Sequence, residues 1–186
     1  MKALIITADE VEDLELFYPY YRIKEAGWDI TVAAPREGQI KGKHGYTVPV
    51  DIKFSDVNPG EYDLLVVPGG KAPEEVRLDE DALNIVRHFF KEEKYVAAIC
   101  HGPQVLISAG ELAGKNATCW PAIRDDVIAA GAKYRDKEVL VDGNLITSRK
   151  PDDLPAFMRE VMEAMTDLTK LAGEREKTKI RERKAA

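Results

Sequence analysis

The feature that most constrains this chain is a set of short apolar runs, each broken off sharply by small or turn-forming residues. Lys2–Ala8, Asp63–Val67 and Tyr95–Ile99 each hold four or more consecutive apolar side chains with no polar alternation, and Trp28–Ala33 reads as a further strand. Runs of this length belong to strands covered on both faces, as in a parallel sheet with helices on either side. Helical segments lie between them. Asp13 is placed to cap a helix with Leu14, Phe17, Tyr21 and Ile23 as its apolar face and Gly27 at its end. Asp79 caps a second helix running to about Lys91, and further helices are predicted from Pro103 through Ser108 and over Arg124–Ala130. Strand, helix and strand in this order imply right-handed crossovers. The expected fold is a three-layer α/β/α sandwich, flavodoxin-like, with a mostly parallel sheet.

Two hairpins depart from that alternation. Gln39–Lys41 and Tyr46–Val50 flank Gly42–Gly45, and Glu138–Val141 and Leu145–Ser148 flank Asp142-Gly143-Asn144. Ala117–Cys119 is read as a short strand. Asp152 and Asp153 open a long final helix to about Leu171. Residues 1–171 are therefore assigned to one domain and 172–186 to a charged extension. Between Glu174 and Lys184 the extension holds six basic and three acidic residues and almost no apolar face, which suits a solvated helix or a frayed tail.

Composition excludes several function classes. With 45% apolar residues the chain is globular, and a net charge of −6 argues against a dedicated nucleic-acid binder. No apolar run is long enough to span a bilayer, and the first residues lack a secretory signal, so a cytoplasmic setting is expected. Two cysteines make no disulfide framework, and no cysteine or histidine spacing suggests zinc. Neither metal nor organic cofactor is expected. Charged residues at 32%, against only six Asn and Gln together, resemble the composition of a heat-adapted protein.

In an open parallel sheet, ligands bind beyond the carboxyl ends of the strands. Three such ends carry unusual residues: Asp9-Glu10-Val11-Glu12, Pro68-Gly69-Gly70 and Cys100-His101-Gly102-Pro103. Ala98-Ile99-Cys100-His101-Gly102 has the small-x-nucleophile-x-Gly spacing of a nucleophile elbow, which would present Cys100 at a helix start where free N–H groups favour a thiolate. His101 could act as general base or ion-pair partner, against the ordinary alternative of a solvent-exposed helix start. Gly70 and His101 could offer backbone N–H groups to an oxyanion. Glu12 is either one more solvated acid or a carboxyl facing Cys100. In the second case it would have to be protonated and donate to the sulfur, since a carboxylate there opposes thiolate formation. Cys119, His44 and His88 have ordinary surroundings in the sequence.

These residues resemble a known family. Ala98–Gln104, Val67–Gly70, Glu12 and Gly42–Tyr46 are similar to the PfpI-type intracellular proteases of the DJ-1/PfpI superfamily, over Met1 to about Leu168. The resemblance implies a cysteine nucleophile at Cys100, a hydrogen bond from Glu12 to that thiol, and a triad of Cys100, His101 and Glu74, with Glu74 arriving from a neighbouring subunit. It implies a homo-oligomer, a dimer or hexamer. Trp120 stands where related members often have Tyr. Three activities follow as expectations. One is glyoxalase-like or deglycase chemistry on methylglyoxal and on glycated protein adducts, in stress protection. Another is ATP-independent cysteine peptidase activity on peptides. The third is a redox-sensing or chaperone-like stress role. A glutamine amidotransferase would need a later His, and none follows His101.

Overall fold

The computed structural model describes residues 1–185, with the side chains of 175, 176 and 179 onward outside the description. Its strands are β1 (Lys2–Ile6), β2 (Asp29–Ala34), β3 (Gln39–Lys41), β4 (Thr47–Pro49), β5 (Ile52–Lys53), β6 (Leu64–Val67), β7 (Tyr95–Ile99), β8 (Asn116–Ala117), β9 (Lys133–Tyr134), β10 (Val139–Asp142) and β11 (Leu145–Ser148). The helices are α1 (Asp13–Glu25), α2 (Ala72–Val76), α3 (Glu80–Lys91), α4 (Pro103–Ala109), α5 (Arg124–Ala129) and α6 (Leu154–Ala185).

Seven strands form the central sheet in the order β10-β11-β7-β6-β1-β2-β5, and every neighbouring pair is parallel except β10 with β11. The unbroken apolar runs occupy its centre. All residues of β6 and β11 are buried, as are the last four residues of β1 and of β7. Helices α1 and α6 pack together, and α2, α3 and α5 gather around α4 as the other layer. Phe89 of α3 and Phe157 of α6 have no exposed surface, and truncating either to Ala costs about 3–5 kcal/mol. The expected sandwich is present. The hairpin β3–β4 and the pair β8–β9 stand outside the main sheet.

Local expectations fare unevenly. The Asp79 carboxylate caps α3, accepting from the N–H groups of Asp81 and Ala82. Asp13 does not cap α1. The N-cap is Glu12, without a side-chain bond, and the Asp13 carboxylate instead accepts from the backbone of His44 (2.7 Å) and Tyr46 (3.2 Å), pinning the loop before β4. The buried face of α1 is also rotated from the one predicted: Glu15, Leu16, Pro19 and Ile23 face inward, while Leu14 and Tyr21 are 58% and 61% exposed. The final helix continues past Leu171 to Ala185 without a break.

Candidate active site

The ends of β1, β6 and β7 meet as expected, because β6 lies between β1 and β7 in the sheet. Cys100 follows β7 with φ of 61°, a left-handed conformation that costs a side-chain-bearing residue about 1–3 kcal/mol. Three backbone bonds hold it there. The Cys100 N–H donates to Ser148 O (3.0 Å), the Gly102 N–H to Ile99 O (2.8 Å), and the Trp120 N–H to Cys100 O (2.9 Å). Such strain persists only where surrounding structure fixes it, as at a nucleophile elbow. Gly70, at φ +75°, forms a bridge with Val11; a Cβ there would lie 2.4 Å from both Glu10 O and Glu12 N. The two loops thus close against each other only because residue 70 is glycine.

Cys100 lies on a cavity of about 520 Å³ that is also lined by Glu12, Glu15, Lys43, Gly70, Glu74, His101 and Trp120. His101 Nδ1 is 3.3 Å from Cys100 Sγ, and the backbone N–H groups of Gly70 and His101 favour a charge on the sulfur. The imidazole stacks on the Trp120 indole with ring centroids 6.0 Å apart and 29° between planes. Burial lowers the affinity of His101 for a proton, an effect that Glu74 opposes and Lys43 reinforces, so the ring is set up as a neutral base. Glu74 lines this cavity beside the His101 of its own chain.

The carboxyl at the thiol is Glu15. The sequence expectation for Glu12 is corrected here. Glu12 lines the cavity, but its oxygens lie 3.3 Å from Lys43 Nζ and 3.2 Å from His44 Nε2, so His44 is no bystander either. Glu15 is wholly buried. Its Oε2 accepts from the Gly69 N–H at 2.8 Å, its Oε1 is buried with no hydrogen-bond partner, and its charge acts on the Cys100 thiol. The packing leaves no slack: a Cβ at Gly69 would lie 2.6 Å from Glu15 Oε2 and 2.7 Å from Cys100 Cβ. The sequence held a usable signal for this. Glu15, Leu16, Pro19 and Ile23 follow helical spacing, so Glu15 sits on the inward face and Glu12 sits at the cap.

Electrostatics correct a second expectation. A helix start does not by itself make the Cys100 thiol acidic. Burial pushes the thiol up, the Glu15 charge pushes it further, and the N–H groups of Gly70 and His101 pull it down. Burial likewise pushes Glu15 up to about 7, against the bond from Gly69. The charge that Glu15 takes on therefore opposes ionisation of the thiol. With its proton on, Glu15 no longer repels a thiolate. Among the described residues Glu12, Asp13 and His44 also bring ligand atoms within 4.8 Å of one another, but Asp13 is engaged by two backbone N–H groups and Glu12 by an ammonium, so the cluster reads as an ion-pair network.

A parallel α/β sandwich with a strained cysteine on the turn after a central strand, a neighbouring histidine and a buried glutamate defines a class of elbow-cysteine proteins. The chain belongs to the DJ-1/PfpI family, whose model matches residues 1–164. Deglycase PfpI of Pyrococcus furiosus is 54% identical over 165 residues, covering 89% of this chain and 99% of that protein. General stress protein 18 of Bacillus subtilis is 43% identical over 162 residues, covering 86% and 94%. Among solved structures, a two-domain protein from Anabaena variabilis with DJ-1/ThiJ/PfpI-like and ferritin-like domains has a TM-score of 0.87 at 39% identity, over 89% of this chain and 48% of that one.

Proposed function

We propose that this chain is a cysteine-dependent hydrolase with glyoxalase-like and deglycase activity on methylglyoxal and its early adducts with protein amines and thiols. The observation that carries the reading is the pairing of Cys100 with a protonatable Glu15 and a neutral His101 in one open cavity. In an adduct, an aldehyde carbonyl is regenerated when the carbinol C–N or C–S bond breaks and the amine or thiol leaves with the hydroxyl proton. The sulfur adds to the aldehyde carbonyl carbon, and the developing oxyanion is held by the N–H groups of Gly70 and His101. His101 then moves a proton between the two adjacent carbons of the bound substrate, which yields a thioester. Water releases it as a hydroxy acid. Glu15 donates to sulfur when sulfur is the leaving group. The Lys43 ammonium, held by Glu12, faces the same cavity and suits the product carboxylate. No step draws on a cofactor. The names of the Pyrococcus relatives support this reading. A cytoplasmic stress-protection role and a heat-stable oligomer remain part of the proposal. Purified protein is expected to form lactate from methylglyoxal, and activity that survives Cys100→Ala would overturn the assignment.

A peptidase is the second reading, supported by Glu74, whose charge acts on His101. Cys100, His101 and Glu74 would then serve as nucleophile, base and orienting acid, with Glu74 drawn from its own chain or a neighbouring subunit. Hydrolysis of short fluorogenic peptides, lost in Glu74→Gln while dicarbonyl turnover is kept, would assign peptidase activity to that triad.

A further inference from the structure

Asp13 holds a buried carboxylate in the first turn of α1, where the helix dipole favours a negative charge. A carboxylate removed from water is costly unless hydrogen bonds satisfy it. Both bonds here come from one loop, residues 42–46, through the N–H groups of His44 and Tyr46. The backbone of that loop is tied down further. The Lys43 N–H donates to Val11 O (2.8 Å), the Gly42 N–H to Tyr46 O (2.7 Å) and the Gly45 N–H to Gly42 O (3.0 Å). The fit is close, since a Cβ at Gly42 would collide with the Asp13 carboxylate.

This loop carries Lys43 into the site. The Lys43 side chain lines the cavity, and its charge lowers the proton affinity of both Glu15 and His101. Glu12 Oε2 holds the ammonium at 3.3 Å, while Glu12 Oε1 meets His44 Nε2 at 3.2 Å. An ammonium has three donors, so the contact with Glu12 leaves others for a bound molecule. Lysine is a point charge on a flexible stem, and where the stem begins decides where the charge can rest. The Lys43 side chain is half exposed, so the fixed backbone beneath it is the main constraint on its reach.

Net charge does not make the cavity attractive to anions, because Glu10 and Glu74 line it along with Lys71. The placement of one ammonium near Cys100 does. At about 520 Å³ the cavity is also far larger than a three-carbon dicarbonyl, which leaves room for a substituent beyond the reacting carbons.

We propose that Lys43 forms an anion subsite beside Cys100, and that Asp13 is the positioning residue that sets it by fixing the loop from which Lys43 extends. The substrate class so favoured is an α-oxoaldehyde, or an adduct of one, that carries a carboxylate. For that substrate class the inference rests on the reading of Cys100 as a nucleophile toward dicarbonyls. Asp13 touches no reacting atom, and its effect passes through the loop.

Alkylation of Cys100 tests the subsite without any turnover, in a Cys119→Ala background at about 0.05 M salt. With iodoacetate or iodoacetamide the same thiolate forms a C–S bond as iodide leaves, but only iodoacetate carries a charge. The ratio of the two rates, iodoacetate over iodoacetamide, therefore cancels any change in thiol ionisation and reads the local field. Lys43→Met is expected to lower that ratio at least about fivefold, and Lys43→Arg to keep most of it. Asp13→Asn should lower it about threefold or more, although removing an anion would by charge alone raise it. Gly42→Ala disturbs the same contact from the loop side and should act in the same direction with no change of charge. With Lys43→Met already in place, neither should lower the ratio further. A ratio unmoved by Lys43→Met would overturn the subsite. One that holds or rises in both Asp13→Asn and Gly42→Ala would overturn the positioning role. Turnover gives the second readout. The native chain should prefer para-carboxyphenylglyoxal to phenylglyoxal in kcat/KM, and Lys43→Met and Asp13→Asn should lose that preference through KM. Equal kcat/KM for the two compounds in the native chain would overturn the substrate preference. No turnover of either compound, with alkylation ratios that fall as described, would sink the dicarbonyl reading and uphold the subsite.

Discussion

Cys100 and Cys119 make an instructive comparison. Both thiols are buried, and burial pushes both up, Cys119 to about 12. By burial and acidity alone the two would be judged equally inert. They differ in what surrounds the sulfur. Cys100 sits at a strained φ on a cavity wall, with an imidazole nitrogen 3.3 Å from its sulfur and with two backbone N–H groups and a protonatable carboxyl acting on its charge. Cys119, one residue before Trp120, is fully buried, and the charges that act on it are those of Asp126 and Arg124. Reactivity here is a property of the converging donors, and the depth of the thiol does not decide it.

The comparison can be broken most forcefully by removing each sulfur in turn. Cys100→Ser should lower dicarbonyl turnover by about a thousandfold or more, whereas Cys119→Ala should stay within about twofold. A comparable loss in both would end the distinction.

Glu15 provides a test that needs no substrate. Its folded-state value of about 7 lies above its ordinary 4.5. Below pH 4.5 the group is neutral in both folded and unfolded chains, and burying it carries no ionisation penalty. As pH rises from 4.5 through 7, the unfolded chain releases the proton first, and the folded state loses up to about 3 kcal/mol. Glu15→Gln should therefore be more stable than the native chain at pH 8, by an amount that shrinks to nothing near pH 4. Denaturant unfolding across that range would show it, and a gain independent of pH would contradict the assignment.

The two glutamates should also separate in activity. Removing the carboxyl in Glu15→Leu is expected to cost about a hundredfold in kcat/KM, and Glu12→Gln about tenfold at most, because the Glu15 charge acts on the thiol while Glu12 is paired with Lys43 and His44. The reverse order would restore the original expectation for Glu12. The smallest effect should come from the wall behind His101. Trp120→Ala should lower kcat by about tenfold and raise the His101 titration point as water reaches the ring, while Trp120→Phe keeps most of both. Titration of the His101 ring protons by NMR would follow the shift.

Much of this was legible in the residues. The apolar runs and their abrupt ends dictated a parallel sheet, and the small residues around Cys100 marked the elbow before any coordinates. Glu15 was harder to see, because its assignment depends on which face of α1 turns inward. Leu14, Phe17 and Tyr21 made a plausible apolar face, yet Leu14 and Tyr21 remain exposed while a glutamate goes inside. A buried carboxyl violates the pattern that sequence reading relies on, and functional sites are where such violations occur. The loop ending in Tyr46 shows the same limit: Asp13 looked like a helix cap, but a contact between residues about thirty positions apart took its carboxylate.

The central claim is that the charge on Glu15 controls the ionisation of Cys100. The most direct measurement is thiolate absorbance against pH in a Cys119→Ala background, with and without Glu15→Gln. The account predicts that thiolate forms only well above the range of a free thiol in the native chain, and at lower pH once Glu15→Gln removes the opposing charge. One step in the range of an ordinary free thiol, unmoved by the loss of Glu15, would contradict it.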